Sequence, residues 1–162
     1  MEKTHRYRAD VVWTGNLGAG TKSYGAYERR YEIRCTGKAP IMGSSDPAFR
    51  GDRRLHNPEE LLAASVSACH MLWYLHLAAS AGVVVIAYED SVEGTMIEGA
   101  DGSGRFIEML LRPRIGLVAG ADAALAERLH QAAHAKCFIA NSVNFPIRVQ
   151  PTITVAAEEA SH

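Results

Sequence analysis

The chain has 162 residues, 48% hydrophobic and 22% charged, with a formal net charge of −1. Such a chain can bury one sizeable core, so residues 1–162 are read as a single domain. The near-zero charge argues against nucleic acid or an anionic membrane as the main partner.

The N-terminus, Met1-Glu2-Lys3-Thr4-His5-Arg6, is polar with no apolar stretch behind it. A cytoplasmic location is therefore expected. Residues 6–14 alternate, Tyr7, Ala9, Val11 and Trp13 against Arg6, Arg8 and Asp10, which predicts a half-buried strand. The Gly15–Gly20 turn and the alternating stretch from Tyr27 to Cys35 complete an antiparallel hairpin. Residues 36–57 hold Pro40, Gly43, Pro47 and Gly51, then Asp52, Arg53 and Arg54. They predict a long loop with a short strand at Ile41-Met42.

Asn57-Pro58-Glu59-Glu60 has the form of a helix start: a capping side chain, proline at the first helical position, and two acids on the positive end of the dipole. The helix is predicted over 57–82, where Gly82 stops it. It is apolar or small nearly all round. At about 36 Å it is too long to bury in so small a domain, so a second copy of the chain is expected to cover it. Its apolar run is broken by Ser65, Ser67, His70, His76 and Ser80, too often for a membrane span. Strands are predicted over 83–95 and 105–118, the second interrupted by Pro113. A second helix runs over 122–136, a short helical turn over 138–144, a last strand over 147–155, and a frayed tail over 157–162. The order predicts an α+β domain with antiparallel sheet.

Three cysteines are too few for a secreted disulfide framework, so each is a buried apolar side chain or a reactive thiol. Cys69 sits mid-helix behind the small residues Ala63 to Ala68, and Cys137 follows the second helix directly. On the two substantial helices they form a plausible redox pair, while Cys35 reads as structural. A mid-helix thiol gains nothing from a helix end, so a thiolate at Cys69 needs a cation from elsewhere. Arg50, Arg53 and Arg54 lie just upstream, with Glu59 a candidate to orient one of them. An acid ten residues before Cys69 lies about 15 Å away along a helix, so the two cannot touch directly within it. Among the seven histidines only His130 and His134 have ligand-like spacing, which is weak support for a metal. His70 and His76 fit satisfied core histidines.

Asn57-Pro58-Glu59-Glu60-Leu61-Leu62-Ala63-Ala64, with Cys69 closing the small-residue run, resembles the first signature of the OsmC/organic hydroperoxide resistance family. Ala133-His134-Ala135-Lys136-Cys137-Phe138-Ile139-Ala140-Asn141-Ser142 resembles the second. The resemblance covers nearly the whole chain. It implies an OsmC-like α+β fold, with antiparallel sheet wrapped around the long helix, in an intertwined homodimer. It further implies that Cys69 attacks an organic hydroperoxide and becomes a sulfenic acid, that Cys137 condenses with it to a Cys69–Cys137 disulfide, and that an external lipoyl-type or other dithiol reduces the product. No metal and no bound cofactor are implied. Glu59 falls on the family's carboxylate that holds the catalytic arginine. Hydroperoxide-type members carry that arginine in the first glycine turn, where this chain has none. OsmC-type members carry it before the long helix, which points to Arg50, with Arg53 as runner-up. His70 stands where an aromatic is common and Phe138 where proline is common. These departures keep a second reading open, a redox sensor or small-molecule-binding protein without turnover. A thiol acyl-transfer enzyme is a third, and it would need a histidine in contact with Cys69.

Overall fold

The computed structural model describes residues 3–158. The tail expected over 157–162 lies outside the described residues from 159 onward. The described residues gather into two compact units, divided between Leu61 and Leu62.

The N-terminal unit carries an antiparallel sheet in the order β1 (Asp10–Trp13), β2 (Tyr31–Arg34), β3 (Ile41–Gly43). Only Asp10–Trp13 of the alternating stretch 6–14 is strand, and all four residues are exposed rather than half-buried. Alternation specifies which side chains share a face. It does not supply the layer that covers that face. The intervening turn is held by Asn16, whose Oδ1 accepts from the N–H groups of Gly18 and Gly20. The expected short strand is present as β3, and Gly43 at its end is required by packing: a Cβ there would overlap the Tyr31 ring. A 3-10 turn, Pro47–Phe49, follows under an Asp46 cap.

Helix α1 (Pro58–Ser80) starts as the sequence suggests. Asn57 Oδ1 accepts from the Glu60 N–H at 2.7 Å, and Glu60 Oε2 accepts from the Asn57 N–H at 3.2 Å, a reciprocal capping box. Gly82, at φ 73°, turns the chain out of the helix.

The C-terminal unit is built from hairpins that change sheets midway. The predicted strand 83–95 divides into β4 (Val85–Asp90) and β5 (Glu93–Glu98), and 105–118 into β6 (Gly104–Leu111) and β7 (Pro113–Leu117). The last strand, 147–155, divides at Gln150-Pro151 into β8 (Ile147–Val149) and β9 (Thr152–Val155). One sheet has the order β4-β7-β9 and the other β5-β6-β8. The expected antiparallel sheet is present in β4–β7 and β5–β6, and each sheet gains a parallel edge: β8 runs parallel to β6 and β9 parallel to β7. Both parallel neighbours arrive through the crossover helix α2 (Ala123–Lys136), as parallel pairing demands. Asp122 caps α2 by accepting from the Leu125 N–H at 2.8 Å.

The main core joins Tyr74 and Ala78 of α1, Ile115 and Leu117 of β7, and Ala126 and Ala133 of α2. Alanines at these positions let α2 lie close to its neighbours, and each large apolar side chain buried there contributes about 1.5–3 kcal/mol. A second cluster holds Val66, Met109 and Leu111.

Candidate active site

Two contacts fix the stretch of α1 that carries Cys69. Two residues before it, Ser67 Oγ donates to Asp90 Oδ2 at 2.5 Å. The other Asp90 oxygen accepts from the Arg112 N–H at 2.7 Å. Asp90 ends β4 and Arg112 links β6 to β7, so one carboxylate ties the corner between the sheets to α1. One residue after Cys69, His70 Nε2 meets His130 Nδ1 of α2 at 3.0 Å.

Cys137 is the C-cap of α2, and its backbone N–H donates to His134 O at 3.2 Å. The chain then turns through a second 3-10 segment, Ala140–Ser142, where a helical turn was expected over 138–144. That turn aims the Ala140 N–H at Cys137 Sγ, 3.4 Å away, and Asn141 Nδ2 closes the helix end on Ala135 O.

Both thiols are free and differ in environment: Cys69 is half-buried, and Cys137 is 0% exposed. Burial pushes the Cys137 thiol up to about 11. The Cys69 thiol adds to this rise through a hydrogen bond and through its charge, while the Ala140 and Ile139 N–H groups oppose it. Cys69, distant in sequence, is thus one of the groups that bear on the titration of Cys137. Cys35 is half-buried on the N-terminal unit, directly after β2.

The histidines beside this pair are core residues, His70 at 1% and His130 at 4% exposure. Burial lowers both to about 4, so both rings are neutral at pH 7. For His70 the neighbouring His134 lowers it further and Asp90 opposes this; for His130 the added cause is His70. The Tyr74 ring stacks on His130 at 4.1 Å. Nothing in the sequence pairs His70 with His130, because sixty residues separate them. The available signal is that each stands on an apolar helix face beside a cysteine motif. Among the described residues no group of three His, Cys, Asp or Glu side chains is placed to hold a metal ion.

Arg50 and Glu59 belong to the N-terminal unit. Arg50 ends the Pro47–Phe49 turn and is exposed, its guanidinium 5.6 Å from the Tyr24 ring centroid. Its φ of 64° is the one positive value at a non-glycine among the described residues, and strain of that kind collects at functional positions. Arg50 lines a cleft of about 240 Å³ with Gly25, Tyr27, Arg30, Ser44 and Asp52. Arg30 and Arg54 both pair with Asp52, at 2.9 and 2.8 Å, and the Arg54 hydrogen bonds, helped by the charges of Arg54 and Arg30, hold its carboxyl far below the usual range. Among the described residues neither Arg50 nor Arg53 forms an ion pair. The two acids at the start of α1 divide their roles. Glu60 completes the capping box, while Glu59 keeps a buried Oε2 without a hydrogen-bond partner among the described residues. Glu59 and Arg50 are not ion-paired in this structure.

A sequence model of the family described as OsmC-like protein matches residues 51–152. Among solved structures, an OsmC-like protein of unknown function from Vibrio cholerae is 26% identical, with 92% of this chain and 100% of that one covered at a TM-score of 0.83. An organic hydroperoxide resistance protein from Elizabethkingia anophelis is 19% identical, with 96% and 100% covered at 0.68. One named organic hydroperoxide resistance protein OsmC, from Legionella pneumophila, is 18% identical, with 95% and 100% covered at 0.67. The last two likenesses are of fold. No curated protein matches the chain.

Proposed function

Because the chain belongs to the OsmC-like protein family, we propose that it is a thiol peroxidase that reduces organic hydroperoxides. The observation that carries this reading is the unequal thiol pair: half-buried Cys69 beside a fully buried Cys137 whose proton is held tightly. Attack on a peroxide needs an accessible sulfur, and resolution needs a second sulfur nearby but protected from the first oxidant. Cys69 as thiolate attacks one peroxide oxygen, the O–O bond breaks, and the leaving alkoxide takes a proton to become the alcohol. The Cys69 sulfenic acid then condenses with the Cys137 thiol, releasing water and forming the disulfide. An external dithiol returns the enzyme to its reduced state. That cycle needs a reducing compartment, for which the cytosol is our assignment.

Arg50 is assigned to hold the thiolate and Glu59 to orient Arg50. The strained backbone of the first and the unpartnered oxygen of the second support those roles. We assign a second copy of the chain to cover α1. Helix α1 is long and apolar enough to cross a membrane by length and composition, yet only 22% of its most apolar stretch is buried, and Leu72 is 63% exposed. Val11 and Trp13 of β1 are likewise exposed. Light scattering on the purified protein should give twice the chain mass, and a monomer would remove this part of the reading.

The deciding experiment is peroxide consumption with a dithiol reductant. Wild type should turn over, Cys69→Ser should not, and mass spectrometry after peroxide should find a Cys69–Cys137 crosslink. A single oxidation of Cys69 with no recycling would favour the redox-sensor reading instead.

A further inference from the structure

Two helices bring the thiols together, and among the described residues one side-chain hydrogen bond joins those helices: His70 Nε2 to His130 Nδ1 at 3.0 Å. Its position relative to the sulfurs is specific. His70 follows Cys69 directly, and His130 lies seven residues, two helical turns, before Cys137. The His130 ring packs between two side chains of α1 that lie four residues apart. It is stacked on Tyr74 at 4.1 Å and parallel to His70 at 5.3 Å, with 17° and 8° between planes. Both imidazoles are in the core, where an apolar pair of similar size would pack as well. An imidazole pair adds direction, because one ring must present N–H and the other a bare nitrogen, along one line. Burial also makes loss of either partner costly, since the remaining nitrogen is left unpaired.

Disulfide formation is sensitive to such a register. The bond requires Cα atoms about 4.4–6.8 Å apart and a narrow torsion, so a shift of about 1 Å in α2 changes how readily the sulfurs meet. Between His130 and Cys137 α2 is unbroken helix. A displacement at His130 is therefore carried to Cys137.

We propose that the buried His70–His130 hydrogen bond is a positioning device that sets the register of α2 against α1 and so holds the Cys137 sulfur where it can close on Cys69. His70 and His130 are positioning residues here and touch no substrate. The inference rests on the reading that these two thiols form the catalytic disulfide, and its test uses no peroxide.

The experiment equilibrates the protein in dithiothreitol redox buffers and measures the Cys69–Cys137 disulfide by mass spectrometry, which gives the effective concentration of one thiol toward the other. His130→Phe keeps the ring and its stacking on Tyr74 but deletes the hydrogen bond, and it should lower that concentration at least ~10-fold. His130→Asn places an amide near the Nδ1 position and should return it to within about threefold of wild type. An unchanged value for His130→Phe overturns the proposal, as does a loss in His130→Asn equal to that in His130→Phe. Should His130→Phe fail to fold, imidazole ¹⁵N spectra of the wild type decide. Closing the disulfide must shift the ring signals of both histidines, because the coupling is reciprocal, and unmoved signals refute it. A wild type that lacks peroxidase activity but still closes the disulfide would sink the proposed function alone. Absence of any crosslink at equilibrium would sink both.

Discussion

The unequal thiols make a quantitative prediction about Cys137. Its ordinary value is 9.0 and burial raises it to about 11, so at any pH below 9 its thiolate is about 100-fold scarcer than that of an ordinary cysteine. A more basic thiolate is also a better nucleophile. With a Brønsted coefficient of roughly 0.45, a rise of about 2 units returns about eightfold in rate. The net expectation is exchange about tenfold slower than for the same cysteine in the unfolded chain, before any loss from its complete burial. The assay is reaction with an aromatic disulfide reagent at pH 7.5, followed by peptide mass spectrometry, in Cys69→Ser. There Cys137 cannot be consumed by resolving a mixed disulfide at Cys69. Removing Cys69 also removes the smaller contributions to the shift and keeps the larger one, burial. Unfolding in denaturant should restore the ordinary rate. If Cys137 in the folded variant exchanges as fast as in the unfolded chain, burial does not suppress it, and the division into attacking Cys69 and resolving Cys137 loses its physical basis.

Further consequences concern acid, the arginine and the corner carboxylate. His70 and His130 titrate near 6.5 when unfolded and about 4 when folded, so between those values the unfolded chain binds more protons. Stability should be full above pH 6.5 and decline as pH falls through that window, by up to about 3 kcal/mol per ring. A urea midpoint that does not move between pH 7.5 and 4.5 would contradict this. Arg50→Gly relieves the positive φ and should stabilise the chain by up to ~1 kcal/mol in urea unfolding while lowering kcat/KM for peroxide at least tenfold; retained activity removes Arg50 from the site. Arg53→Ala should change neither measurement. Asp90→Asn should lower the thermal midpoint by several degrees, since the Ser67 hydroxyl and the Arg112 N–H lose a charged acceptor; an unchanged midpoint would show that this carboxylate does not brace α1.

What could be read from the sequence is what local chemistry determines. Asn57, Pro58 and Glu60 announce the start of α1, Gly82 its end and Asp122 the start of α2, because caps are satisfied within a few residues. The sheet changes were harder to see. Residues 147–155 alternate without interruption, yet Gln150-Pro151 carries the chain from one sheet to the other. Pro151 is the local sign of this, as it has no N–H to give a continuous ladder. The parallel partners of β8 and β9 lie across α2, where no local pattern records them.

The same distinction holds for the two cysteines of the candidate site. The motifs single out Cys69 and Cys137, and local structure constrains each: small residues precede the first within α1, and a helix end and 3-10 turn hold the second. The register between them depends on α1, β4 and α2 meeting, and hence on Ser67 with Asp90 and His70 with His130. A histidine after the cysteine, where an aromatic is common in the family, looks in sequence like a weakening of the motif. In the folded chain that histidine finds a partner on α2, and Tyr74, one turn further along α1, gives the partner's ring a surface to stack on. Three positions on two helices therefore act as one unit, so His70 replaced by an aromatic should be tolerated only together with an apolar residue at 130. The double variant His70→Phe/His130→Leu should unfold at a higher urea concentration than His70→Phe alone, because the single change leaves a buried imidazole without its partner. Strict additivity of the two changes would mean that the rings do not act together.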